Sequence, residues 1–168
     1  MTQQEINENI EIARRYLNSF HLLLPDDEVL FDCFCLPSFK YNAFYAQIYK
    51  INDVYRANCA YTRYADYLGI ESYSCHFSSI EIKKHPAKQN DVFCKIIFLN
   101  PEAVNSLISI AQDYTVKDNT PKEGMIIDGI TAGIRFFDNG TIFRDIVMIN
   151  PDKPEPLLDE ICSFSDMI

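Results

Sequence analysis

An α+β fold with a mainly antiparallel sheet is what this sequence predicts, and three observations carry the prediction. Apolar residues recur at helical spacing in separated stretches near residues 6–17, 104–111 and 157–164. Between them lie β-branched and aromatic segments, two pairs of which are joined by turn chemistry, Asn52-Asp53 and Asp138-Asn139-Gly140. The resulting order is of successive hairpins with helices at intervals, which favours an antiparallel sheet over a doubly wound one. The expected architecture is a single domain over residues 1–168. Its sheet has about six to seven strands, covered on one face by an N-terminal helix, a middle helix and a short C-terminal helix.

Thr2 and Glu5 have the spacing of a capping box, and Ile6, Ile10, Ala13 and Leu17 form one stripe, predicting a helix to about Asn18. Val29 to Leu36, closed by Pro37-Ser38, reads as the first strand. Residues 43–51 and 54–61 form a hairpin around Asn52-Asp53, two residues that tolerate positive φ. Pairing Ile51 with Val54 sets Ile48 opposite Ala57, Ala46 opposite Cys59 and Phe44 opposite Tyr61, giving one consistently apolar face. The opposite face carries Tyr49 with Arg56, Gln47 with Asn58, and Tyr45 with Ala60.

Tyr61, Tyr64, Tyr67 and Leu68 predict a short helical turn ending at Gly69. Tyr73 to Ile82 and Val92 to Leu99 read as a further hairpin around the polar loop Lys84 to Asn90, with a bulge near Ser78-Ser79. Asn100 caps a helix with Pro101 first, a buried stripe of Val104, Leu107, Ile108 and Ala111, and an end near Tyr114. Residues 115–123 form a polar loop. Met125 to Phe137 and Thr141 to Ile149 flank Asp138-Asn139-Gly140. A two-residue loop there would set Arg135 opposite Arg144, so the like charges favour a bulged pairing. After Pro151 to Pro156, the residues Leu157, Leu158, Ile161 and Phe164 define the last helix.

The chain has 168 residues, 48% of them apolar, so it is long enough to bury a core. With 24 Asp and Glu against 15 Lys and Arg the net charge is −9, which argues against a nucleic-acid partner. Apolar runs such as Ile96-Ile97-Phe98-Leu99 fall far short of the ~20 residues that span a bilayer. The acidic, polar start Met1 to Glu8 has no secretory pattern, and a cytoplasmic location is expected. The six cysteines at 33, 35, 59, 75, 94 and 162 read as reduced thiols packed as small hydrophobes.

Catalytic and cofactor motifs fail on spacing. The five glycines lie at 69, 124, 129, 133 and 140; only Gly124 and Gly129 have the outer spacing of a phosphate loop, and Ile130-Thr131 follows instead of Lys-Ser/Thr. No serine is flanked as in a nucleophile elbow. Cys75 and His76 are adjacent on a predicted strand and point to opposite faces, so they make no catalytic pair. Cys33, Cys35, Cys59, Cys75 and Cys94 are the one thiol constellation that a shared sheet face brings together, without metal-ligand spacing. No metal, no cofactor and no catalytic residue is therefore assigned. The acidic groups Asp26-Asp27-Glu28 and Asp152, Glu155, Asp159 and Glu160 adjoin loops or helix starts, where negative charge is favourable.

Eight of the ten tyrosines fall between Tyr41 and Tyr73, and the hairpin register gathers Tyr45, Gln47, Tyr49, Arg56 and Asn58 on one face. Tyr and Arg are favoured at binding hot spots because they bury a large area while keeping a polar handle. Two readings follow. The face meets another protein, or a second layer of the same domain covers it with each hydroxyl satisfied in place. The leading functional expectation is a small acidic protein-binding module, such as an inhibitor or immunity-type protein, steered to a basic partner. The alternatives are a small-molecule-binding or enzymatic domain with a pocket at His76 between sheet and helix, and a structural homodimer pairing through the tyrosine face.

Overall fold

The computed structural model describes residues 1–37, 42–62, 76–78, 92–115, 129–149 and 155–167. Helix α1 spans Gln3–Ser19, and the predicted capping box is formed: Glu5 N donates to the Thr2 hydroxyl (3.3 Å) and Thr2 N to the Glu5 carboxylate (2.6 Å). Strands β1 (Phe31–Pro37), β2 (Phe44–Ile51), β3 (Val54–Thr62) and β4 (Val92–Phe98) follow. Helix α2 (Pro101–Asp113) starts at Asn100, whose side chain accepts from Glu102 N, with Pro101 in the first turn. Strands β5 (Ile130–Asp138) and β6 (Thr141–Ile149) precede helix α3 (Pro156–Met167).

The six strands form one sheet in the order β4-β3-β2-β1-β5-β6, with every neighbouring pair antiparallel. This is the expected α+β class. The β2–β3 register is the one derived from side-chain parity, Phe44 opposite Tyr61 through Ile51 opposite Val54. Asn52 and Asp53 both take positive φ, 49° and 63°, as a right-twisted two-residue hairpin requires.

The β5–β6 hairpin combines the two pairings that the sequence left open. Asn139 and Gly140 form a two-residue turn with φ of 46° and 78°, pairing Asp138 with Thr141 and Phe137 with Ile142. The register then shifts between Phe136 and Phe137, so that Phe136 faces Arg144 and Arg135 faces Asp145. The bulge exchanges a like-charge pair for an opposite-charge one.

Helices lie on both faces of the sheet, which corrects the expected one-sided cover. α1 packs over β2, β3 and β4; on the other face α3 lies over β1 and β5 and touches α2, which packs on β3. One core joins Phe31, Cys33, Cys35, Ile48, Cys59 and Ile134 to Leu107, Ile161 and Phe164, while the other joins Phe34, Leu36, Tyr45 and Ala60 to Ile6, Ile10, Ala13 and Leu17. β1 is interior and faces a core on each side, so all seven of its residues are buried.

Phe77 and Ser78 are helical, so the predicted strand over Tyr73 to Ile82 is not extended at these two positions. Within that segment residues 73–75 and 79–82, and beyond it the turn at Tyr64 to Gly69 and the loop over residues 116–123, lie outside the described residues. Among the described residues, no helix is long and apolar enough to cross a membrane.

Candidate functional site: a buried polar row and the apolar surface beside it

Cross-strand pairing lines up one residue per strand on the α1 face. Asp145 of β6 faces Arg135 of β5, which faces Asp32 of β1, then Gln47 of β2, Asn58 of β3 and Ile96 of β4. Five of the six are polar, and Asp32, Gln47 and Asn58 are buried. A buried polar group is costly unless its hydrogen-bonding capacity is met, and this row meets it largely from within the chain.

Arg135 grips Asp32 with two nitrogens, Nε to Oδ1 at 2.9 Å and Nη2 to Oδ2. Tyr45 donates its hydroxyl proton to Asp32 Oδ2 (2.8 Å), and Arg14 of α1 donates to the same hydroxyl (3.2 Å) and to Asp26 (2.9 Å). Gln47 forms a two-way amide pair with Leu24, donating to its carbonyl (3.1 Å) and accepting from its N–H (3.0 Å). Asn58 donates to the Leu22 carbonyl (2.6 Å) and accepts from the Tyr49 hydroxyl (3.0 Å). The row thus fastens α1 and the segment after it onto the sheet.

Burial pushes the Asp32 carboxyl upward, and Arg135, Tyr45 and Arg14 oppose that push. The Tyr45 phenol is held well above its ordinary value by burial and by the neighbouring Asp32 charge. Burial also raises Asp145, against the attraction of Arg135. Arg135 is the cation that lets two carboxyls share one sheet face.

Of the two readings of the tyrosine face, this geometry favours the second, a layer of the same domain lying over it with the Tyr45 and Tyr49 hydroxyls satisfied in place. Tyr45, Gln47, Tyr49 and Asn58 are all buried, because α1 and residues 22–24 lie across them. Arg56 differs. It is half-buried, its guanidinium carbon lies 5.1 Å from the centre of the Phe98 ring, and its Nε is shielded from solvent without a hydrogen-bond acceptor.

Beyond the row, the same face continues to the hairpin end of the sheet and is uncovered. Phe98, directly opposite Arg56, is 70% exposed, and Ile96, Ile51 and Val54 are exposed around it. Phe20 at the C-cap of α1 and Leu30 just before β1 are exposed too. Exposed apolar side chains are ordinary one at a time; a group of them on one sheet end is not.

The thiols divide between the faces. Cys33, Cys35 and Cys59 belong to the core under α2 and α3, and Cys94 packs against the other core. Burial raises Cys33 well above an ordinary thiol, Cys59 to about 12 and Cys94 to about 11, so each stays protonated near neutral pH. Cys75 lies outside the described residues. Among the described residues, no three His, Cys, Asp or Glu side chains converge as a metal site.

His76 is half-buried beside fully buried Phe77, and Ser78 N donates to Asn9 Oδ1 on α1 (3.0 Å). Its Nε2 is buried without a hydrogen-bond partner. Burial lowers its pKa from the usual 6.5, opposed by hydrogen bonds to the main chain of Pro37 and Leu36 and by Glu5. A depressed folded-state value means that the unfolded chain takes up the proton first as the pH falls. Stability contributed by neutral His76 is therefore complete above about pH 6.5 and is lost below it. Urea titrations from pH 7.5 to 5 should show the wild-type chain losing stability relative to His76→Gln; parallel curves would refute this coupling.

The fold and this row define an α+β protein whose antiparallel sheet is polar at its centre on one face and apolar at one end. The chain matches no protein-family model, no curated protein and no solved structure.

Proposed function

We propose that the chain is a protein-binding module, acting as an inhibitor or immunity-type protein, and that it meets its partner through the uncovered end of the α1 sheet face. The observation that carries this reading is Phe98, 70% exposed under the Arg56 guanidinium and flanked by Ile96, Ile51 and Val54. Arg and large apolar side chains at the centre of such a patch are the usual anchors of binding energy. Arg56 adds a charge that a partner's carboxylate or carbonyl can satisfy. The net charge of −9 favours a partner that is basic overall, since long-range attraction raises the encounter rate.

The surface makes little contribution to folding, so a charge placed on it separates binding from stability. Phe98→Asp is expected to change stability by no more than about 0.5 kcal/mol while weakening capture of the partner at least about 100-fold. Thermal melts and co-purification of the two forms, side by side, check both halves. Retained capture would place the contact elsewhere, and a large loss of stability would make Phe98 a folding residue.

A further inference from the structure

We propose that Cys35 and Cys162 are an oxidisable dithiol, a modification site at which a hydroperoxide closes a disulfide between the interior strand β1 and the C-terminal helix α3. The two sulfurs lie 3.9 Å apart, in contact but unbonded, and both cysteines are reduced. A disulfide requires about 2.05 Å, so the sulfurs must approach by roughly 2 Å. That movement lies within reach of a Cys162 rotamer change and a small shift of α3.

The two cysteines differ in access, and this orders the chemistry. Cys35 is buried in the core, whereas Cys162 is half-buried on the helix. Cys162 is therefore the sulfur that a hydroperoxide reaches. Its thiolate attacks the distal peroxide oxygen; the O–O bond breaks, the sulfur becomes a sulfenic acid, and the alcohol, or water from hydrogen peroxide, departs with a proton. Cys35 sulfur then attacks the sulfenic sulfur and the S–O bond breaks. The hydroxide leaves as water with the Cys35 proton, and the S–S bond forms. Overall, two thiols and one hydroperoxide give a disulfide, an alcohol and water.

Among the described residues, the remaining thiols do not offer this pairing. Cys33 and Cys59 are buried in the same core, and Cys94 packs against the opposite one. The contact with Cys162 and burial both hold the Cys35 thiol protonated, so Cys162 is the sulfur that meets the hydroperoxide, and Cys35 gives up its proton only as it attacks the sulfenic sulfur. Because 127 positions separate the partners, the link would constrain most of the unfolded chain and clamp α3 to the sheet.

The test treats the full folded chain with a small excess of hydrogen peroxide, followed by intact-mass measurement, peptide mapping and a thermal melt. The expected product has lost two hydrogens, links Cys35 to Cys162, melts about 5 °C or more higher, and reverts with dithiothreitol. Cys162→Ser at the half-buried position should abolish the link, and Cys35→Ala should leave Cys162 to accumulate as sulfenic or sulfinic acid. A wild-type chain that forms no link, that links other cysteines, or that oxidises only at Cys162 would overturn the proposal.

Discussion

Arg135→Ala is expected to destabilise the protein by about 3–5 kcal/mol, the largest effect of any single side-chain truncation on the α1 face. The substitution removes both guanidinium bonds to Asp32 and leaves a fully buried carboxylate with only the Tyr45 hydroxyl. It also removes the cation between Asp32 and Asp145, which the row places on either side of it. Burial then raises both carboxyls further, so the deficit should shrink as the pH is lowered toward about 4 and the acids become neutral. Replacing the whole cluster, with Asp32→Leu, Arg135→Met and Tyr45→Phe together, should cost far less than Arg135→Ala, because no charge is left unpaired. Urea denaturation of the single and triple variants measures this. A cost below about 1 kcal/mol for Arg135→Ala would mean that the pair is effectively solvated.

Gly133→Ala is expected to cost about 3 kcal/mol although it adds one carbon. A Cβ on Gly133 would sit 2.6 Å from the Phe34 ring and 2.7 Å from the Ile146 carbonyl oxygen. The ring can turn only into a filled core, and the carbonyl belongs to the neighbouring strand β6. Phe34→Leu should therefore relieve part of the strain and leave the backbone contact, so the double variant recovers less than half of the loss. Recovery to the level of Phe34→Leu alone would show that the ring was the sole obstacle.

Local periodicity made most of the fold legible. The α1 capping box, the Asn100-Pro101 start of α2 and the β2–β3 register are short-range features, and each formed as read. The two-sided cover was less visible, although Phe31 to Pro37 carries a hint in being apolar at nearly every position, as a strand buried on both faces must be. Asp32 is the exception in that run. A single acid in an interior strand calls for a cation at the same level of a neighbouring strand, and Arg135 supplies it. That pairing could not be read in advance, because β1 and β5 meet across about a hundred residues of sequence.

The tyrosine face shows why the site was only half legible. Strand parity placed Tyr45, Gln47, Tyr49, Arg56 and Asn58 together correctly, but parity does not tell an open face from a covered one. The cover comes from the carbonyls of Leu22 and Leu24, in a segment with no motif that announces where it lies. The exposure of Phe98 is hidden in the sequence for the converse reason. In Val92 to Phe98 apolar residues occur on both faces, and alternation cannot reveal which of them reaches water.

Native mass spectrometry of the protein isolated from its own host tests the binding account most directly. The account predicts a second, basic protein held at fixed stoichiometry, and its loss when Phe98→Asp is expressed in the same host. A bare monomer, a homodimer, or a complex that survives Phe98→Asp would contradict it.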